Sequence, residues 1–300
     1  MRGLKAGVVA AINFSLLASV LVSYSIVSAP PVNQSGAVSG ATGNALVDTR
    51  FLPVDSDHIA DYPQTESEID PVKLVKGAID QWRGVSSFGE VSMTIHRPDW
   101  QRSMTMKSWT RGEKDALIRF VAPAKDAGNA TLKLNNDMWM FTPKLNQVIK
   151  LPASMMTQSW MGSDFSYNDL AKSDQLLTDF ELKLLSTEKV DGITRYTIEA
   201  IPKADAPVVW GKEVLVIRED NILLRETFYD QAMLPVKEMK TLKIETIGGR
   251  LYPVLMRMSS FEENDRWTQI ETHHAVFNLA IPAFIFTQSN LRNPRPWSAD

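Results

Sequence analysis

From Phe88 onward the chain repeats one pattern that restricts its fold more than any other: short stretches of alternating apolar and polar residues between turn residues. Val91, Met93 and Ile95 alternate with Ser92, Thr94 and His96, and the stretch ends at Arg97-Pro98-Asp99. Successive strand residues point to opposite faces, so a period of two predicts a strand with one buried face. The same reading predicts strands at about 101–110, 115–121, 131–134, 138–142 and 147–151. Further strands fall at about 180–186, 194–201, 213–218, 223–229, 237–246, 253–260 and 267–274. The connections are short and carry Gly, Asn and Asp, as in Arg111-Gly112-Glu113-Lys114. Such spacing leaves no room for crossover helices and favours one antiparallel meander. The expected fold is therefore mainly β with a few helices (α+β), a large curved antiparallel sheet or incomplete barrel in one domain.

A helix precedes the strands. Asp70 suits an N-cap and Pro71 the first helical position, while Val72, Val75, Ile79 and Trp82 recur at helical spacing until Gly84. These features predict an amphipathic helix of about four turns with one apolar stripe. Upstream, residues 1–29 read as an export segment: Arg2 and Lys5 precede an apolar stretch long enough to span a bilayer,. It is either a cleaved signal peptide or a retained N-terminal anchor. Residues 30–68, rich in Ser, Gly, Ala, Val and Asp without a steady period, read as a flexible linker,. The folded domain is expected over 69–297.

Composition removes several functional classes. The chain has 44% apolar residues, enough for a core, and a formal charge of −3 that gives no basis for nucleic-acid binding. It contains no cysteine, so disulfides, thiolate chemistry and Cys-based metal sites are excluded. His273 and His274 are adjacent in a strand and point to opposite faces, and no zinc-type His spacing occurs,. No nucleophile elbow, phosphate loop or dinucleotide fingerprint is present. The acids Asp164, Asp169, Asp174 and Asp179 assemble no site by spacing, but Ser166-x-x-Asp169 is a capping box opening a short helix,. No metal, cofactor or enzymatic activity is expected.

Apolar residues mark the candidate site instead. Met138-Trp139-Met140-Phe141 is apolar on both strand faces, so each face needs a cover,. Trp109 and Leu117 extend that surface on neighbouring strands. The run Pro152–Leu170, PASMMTQSWMGSDFSYNDL, gathers Met155, Met156, Trp160, Met161 and Phe165 around a Gly-Ser-Asp turn. Methionine is flexible and polarizable, which suits a surface that accepts variable apolar shapes better than a copper site.

The stretch from Trp139 to Leu170, WMFTPKLNQVIKLPASMMTQSWMGSDFSYNDL, resembles the LolA-like outer-membrane lipoprotein-sorting proteins. IRFVAPAKDAGNATLKL, from Ile118 to Leu134, is similar to that family's strand, proline and glycine turn. The likeness implies a periplasmic protein whose unclosed barrel wraps around helices and holds acyl chains between sheet and helices, without a cofactor. It implies a lipid cavity at Trp109, Leu117, Trp139, Phe141, Met155, Met156, Trp160, Met161 and Phe165, with an inner-membrane exporter and an outer-membrane acceptor as partners. An arginine that closes the cavity by reaching helix-loop carbonyls would be Arg119, with Arg102 as its rival. The chain departs from the small carriers in its length, its linker and its MGSDF segment. The cargo is accordingly either lipoprotein acyl chains or another envelope lipid. The alternative from another class is a lipid-sensing or scaffold module acting on a membrane partner.

Overall fold

The computed structural model describes residues 69–171 and 175–299, which belong to one compact unit. The expected export segment 1–29 and linker 30–68 lie outside the described residues. Among the described residues, no helix is long and apolar enough to cross a membrane.

Helix α1, Pro71–Arg83, forms as its sequence dictates. The Asp70 carboxylate accepts from the backbone N–H groups of Val72 and Lys73, Pro71 opens the first turn, and Gly84 ends the helix at φ 62°. A side chain at Gly84 would meet Asn278 Oδ1, which already accepts from the Val85 N–H at 3.0 Å. The expected stripe is only partly covered. Val75 and Ala78 are buried against the sheet, whereas Val72 is 48% exposed.

Thirteen strands follow, at each position the alternation indicates: β1 Ser86–Arg97, β2 Trp100–Arg111, β3 Asp115–Ala122, β4 Ala130–Leu134, β5 Asp137–Thr142 and β6 Gln147–Lys150. The remainder are β7 Phe180–Val190, β8 Ile193–Pro202, β9 Lys212–Arg218, β10 Leu223–Tyr229, β11 Pro235–Ile247, β12 Arg250–Ser260 and β13 Trp267–Phe277. They form one antiparallel sheet in the order β6-β5-β4-β3-β2-β1-β13-β12-β11-β10-β9-β8-β7. Every neighbour is sequential except β1 with β13, so two meanders join through the first and last strands. β6 and β7 end the order without pairing, and the curved sheet is not closed into a barrel. Register shifts at Glu90/Val91, Thr105/Met106 and Leu184/Ser186 supply local bends,.

The segment between the two edge strands crosses the sheet as a 3-10 turn at Trp160–Gly162, then α2 Tyr167–Ala171 and α3 Gln175–Thr178. After β13 the chain returns as a 3-10 turn, Ala283–Phe286, and α4, Gln288–Arg292.

Register fixes which residues share a face. Phe88 lies opposite Trp109, Trp109 opposite Leu117, Leu117 opposite Leu132 and Leu132 opposite Trp139, one ladder across five strands. This ladder packs with Ile281, Ile285, Phe286 and Leu291 of the C-terminal segment. Val91, Met106 and Phe120 form the corresponding ladder on the other face, where Met93, Met104, Met138 and Trp160 are buried together. Both faces of β5 are covered, as its composition requires, one of them by the C-terminal segment.

Candidate functional site: an apolar cavity with a polar end

A cavity of about 340 Å³ lies on the α1 face of the sheet. Ile79 and Trp82 of α1 form one wall, while Met106, Ile118 and Met138 come from the first meander. Phe228, Met256 and Met258 close it from the second, and Trp160 and Phe165 enter from the connection between edge strands. Apolar side chains with several rotatable bonds or flat rings dominate these walls, so they can follow the shape of a bound chain.

Trp160 anchors the connection. It is 2% exposed, its indole Nε1 donates to Thr131 Oγ1 at 3.1 Å, and its ring lies 5.4 Å from that of Phe120. Met161 and Gly162 both take positive φ, 56° and 78°, which turns the chain back on itself. The Trp160 N–H then reaches the Phe165 carbonyl at 2.7 Å. Asp164 pins the far side of this turn. Its carboxylate accepts from Arg97 Nη1 at 3.0 Å, Arg266 Nε at 2.8 Å and Thr268 Oγ1 at 2.6 Å. The Gly-Ser-Asp-Phe run is therefore a fastening that holds Trp160 and Phe165 against the cavity.

The capping box closes as its spacing implies. Asp169 Oδ2 accepts the Ser166 N–H at 2.7 Å and Ser166 Oγ accepts the Asp169 N–H at 3.2 Å.

The site residues expected from the sequence divide between the two faces. Trp160 and Phe165 line the cavity, and Met155, Met156 and Met161 pack in the same cluster behind them. Trp109 borders the cavity while its ring joins the opposite ladder, 5.5 Å from Phe88. Leu117, Trp139 and Phe141 lie on that opposite face beneath the C-terminal segment. The two aromatic groups expected to meet are thus separated by the sheet, because register pairs Trp139 with Leu132 rather than turning it toward Trp160.

Arg119, expected to close the cavity, donates instead to the backbone carbonyls of Asn290 at 2.7 Å and Leu291 at 3.1 Å. They belong to α4, so Arg119 clamps the C-terminal segment on the face away from the cavity. Burial lowers its guanidinium pKa from the ordinary value. The rival Arg102 pairs with Asp126 instead.

A polar group in the cavity escaped the sequence reading. Glu213 of β9 and Glu226 of β10 both line it and hydrogen-bond to each other. Burial, more than any charge, pushes both carboxyl pKa values upward, that of Glu226 to about 7. Two carboxyls interacting in one low-dielectric site disfavour the doubly ionised form,. Beside them Lys237 pairs with Asp169 and sits 5.0 Å from the centres of the Trp210 and Phe228 rings. The signal was present: Glu213 shares the inward alternation of Leu215 and Ile217, where a carboxylate is out of place,. Among the described residues, no cluster of His, Cys, Asp and Glu is arranged to hold a metal ion.

A family model described as an uncharacterized protein matches residues 112–293, more than half of the 300-residue chain. The chain belongs to this family, DUF1329. A solved DUF1329 family protein from Desulfovibrio piger is 26% identical, with a TM-score of 0.66 over 74% of this chain and 100% of that one. A candidate outer-membrane lipoprotein-sorting protein domain from Vibrio parahaemolyticus is 19% identical, with a TM-score of 0.64 over 74% of this chain and 98% of that one. A LolA superfamily protein from Nitrosomonas europaea is also 19% identical, with a TM-score of 0.62 over 74% and 99% of the two chains. No curated protein matches. This DUF1329 chain thus has a LolA-like fold, as the resemblance in 118–170 implies.

Proposed function

We propose that this DUF1329 protein is a non-enzymatic periplasmic carrier that shields the acyl chains of a lipoprotein, or of another envelope lipid, on their way to the outer membrane. One observation carries the reading: a cavity of about 340 Å³ walled by Met, Trp, Phe and aliphatic side chains between a curved sheet and its helices. An acyl chain of ordinary length has of order 10 kcal/mol against crossing water bare, at about 0.8 kcal/mol per methylene. A pliable apolar cavity recovers most of that and still releases the chain. The solved LolA superfamily and lipoprotein-sorting relatives supply the same frame. In this reading 1–29 directs export, 30–68 links and 69–297 binds. The donor is an inner-membrane exporter complex and the acceptor lies in the outer membrane. Cofactors and nucleic acid have no part.

Native and denaturing mass spectrometry of protein purified from its own envelope tests this, with a Ser108→Trp variant as control. Ser108 lines the cavity on β2, and an indole there fills it. The expected result is a lipid or acylated peptide released from the wild type and absent from Ser108→Trp of the same secondary structure. Wild type and variant carrying equal lipid, or none, refutes the carrier reading.

A further inference from the structure

A second pocket, of about 240 Å³, lies at the end of the sheet away from the C-terminus of α1. Register places it there. β1 starts beside α1 at Ser86 and ends at Arg97, His96 lies opposite Trp267, and Trp267 lies opposite Ser259. Trp210, Val236, Ser260 and Glu262 wall this outer pocket from the second meander, and Ser159 and Ser163 from the connection between edge strands.

Phe165, Asn168 and Trp210 line both the outer pocket and the cavity, so a single layer of residues separates the two. An ion pair crosses that layer. Lys237 lines the outer pocket and Asp169 the cavity, and the two are joined with side chains 10% and 8% exposed. The Lys237 ammonium also sits 5.0 Å from the centres of the Trp210 and Phe228 rings, which are 5.3 Å from each other.

The outer pocket has an apolar lip. Val209, Met233, Leu234 and Phe261 are 38%, 49%, 62% and 49% exposed. Their loops are joined: Gln231 Nε2 donates to the Val209 carbonyl and the Phe261 N–H to that of Val236. The turn carrying Met233 and Leu234 is built to hold them out. Met233 takes φ 62°, and the Asp230 carboxylate accepts the N–H groups of Ala232 and Leu234, both at 2.9 Å. Strain of this kind persists only where the surroundings impose it, and it concentrates at functional sites.

The cavity also reaches the surface beside α1, where Trp82 is 41% exposed. Val85 and Leu251 are exposed at that end too, so a lip alone does not mark an entrance. The fastenings differ. The last turn of α1 is tied to main-chain carbonyls: Gln81 Nε2 donates to Leu251 at 2.6 Å and Arg83 Nη1 to Glu113 at 3.0 Å. Arg250 Nη1 donates to the Gln81 carbonyl at 3.1 Å, and Lys133 Nζ joins Arg83 on Glu113 at 3.3 Å. Opening there breaks bonds to the backbone on both sides, whereas the layer at Lys237 opens when one side-chain pair parts.

Resting on the carrier reading, we infer that the outer pocket is the entrance to the cavity. An apolar chain crosses the lip and passes between Phe165 and Trp210 when Lys237 parts from Asp169.

Because the chain has no cysteine, each end can be capped on its own. Glu262→Cys, at the outer pocket, and Val85→Cys, at a residue 76% exposed beside α1, are labelled with biotin maleimide and capped with monovalent streptavidin. Stopped-flow fluorescence then follows uptake of 1-N-phenylnaphthylamine. Capping Glu262→Cys should slow uptake about tenfold or more, and capping Val85→Cys should leave it unchanged. The double variant Asp169→Asn/Lys237→Met, in which Asn keeps an acceptor for the Ser166 N–H, should take up the probe severalfold faster than the wild type. Uptake slowed equally by both caps, by the Val85→Cys cap alone or by neither overturns the entrance and leaves chain binding intact. A folded double variant no faster than the wild type refutes the ion pair as the barrier. A wild type that binds no probe overturns the carrier reading and the inference with it.

Discussion

Replacing Arg119 by alanine should loosen the C-terminal segment from the sheet, and the structure sets the size of the effect. The guanidinium Nη2 donates to the carbonyls of Asn290 and Leu291 at 2.7 and 3.1 Å. Both residues are nearly inaccessible, at 4% and 0% exposure. Hydrogen bonds to a charged group contribute about 1.5–3 kcal/mol each, and a buried acceptor left alone costs about 1–3 kcal/mol. Against this stands the recovered cost of desolvating the guanidinium, the same burial that lowers its pKa,. A net loss of about 3 kcal/mol follows, which in a domain of this size lowers Tm by about 6–12 °C. Arg119→Lys keeps the charge on a single ammonium and should recover part of the loss. Urea unfolding gives the free energy, and limited proteolysis reports whether cleavage concentrates in 287–297. If Arg119→Ala melts within about 2 °C of the wild type, with no new cleavage there, the clamp reading is wrong.

Two further outcomes can be stated. Glu226 titrates at about 7 in the folded protein against 4.5 ordinarily, so its contribution to stability is fully present below 4.5 and is lost as pH rises through 7. Wild-type stability should fall by of order 2 kcal/mol between pH 5 and pH 8.5, and Glu226→Gln should fall less; equal slopes in urea unfolding would contradict the buried-carboxyl assignment. Trp160→Phe keeps an aromatic ring beside Phe120 but removes the donor to Thr131, so it should cost about 1 kcal/mol, against about 3–5 for Trp160→Ala. Equal losses in both would mean that the hydrogen bond, not the packing, fixes the turn.

Much of this architecture is legible one residue at a time. Asp70, Pro71 and Gly84 bracket α1 because capping is a local matter of unsatisfied N–H groups and permitted φ,. Ser166 and Asp169 close their box within four residues for the same reason. Asp164 shows the limit. Its partners Arg97, Arg266 and Thr268 lie about 67 to 104 positions away,, and spacing along the chain carries no trace of them. Glu213 and Glu226 stood at inward positions of their own strands, yet their contact requires two strands to be brought into register first.

By itself the sequence determined the strands, their antiparallel sense and the helix that precedes them, because alternation and turn chemistry act between near neighbours. It also determined that β5 must be covered twice, since Met138, Trp139, Met140 and Phe141 leave no polar face. Only the tertiary structure decided which cover goes where. A period of two separates residues into two sets without saying which set faces inward. For Trp139 that choice was made by pairing with Leu132 and by a C-terminal segment more than a hundred residues downstream. The cavity belongs to the opposite face, where Met138 meets Trp160 and the acids of the second meander complete its polar end.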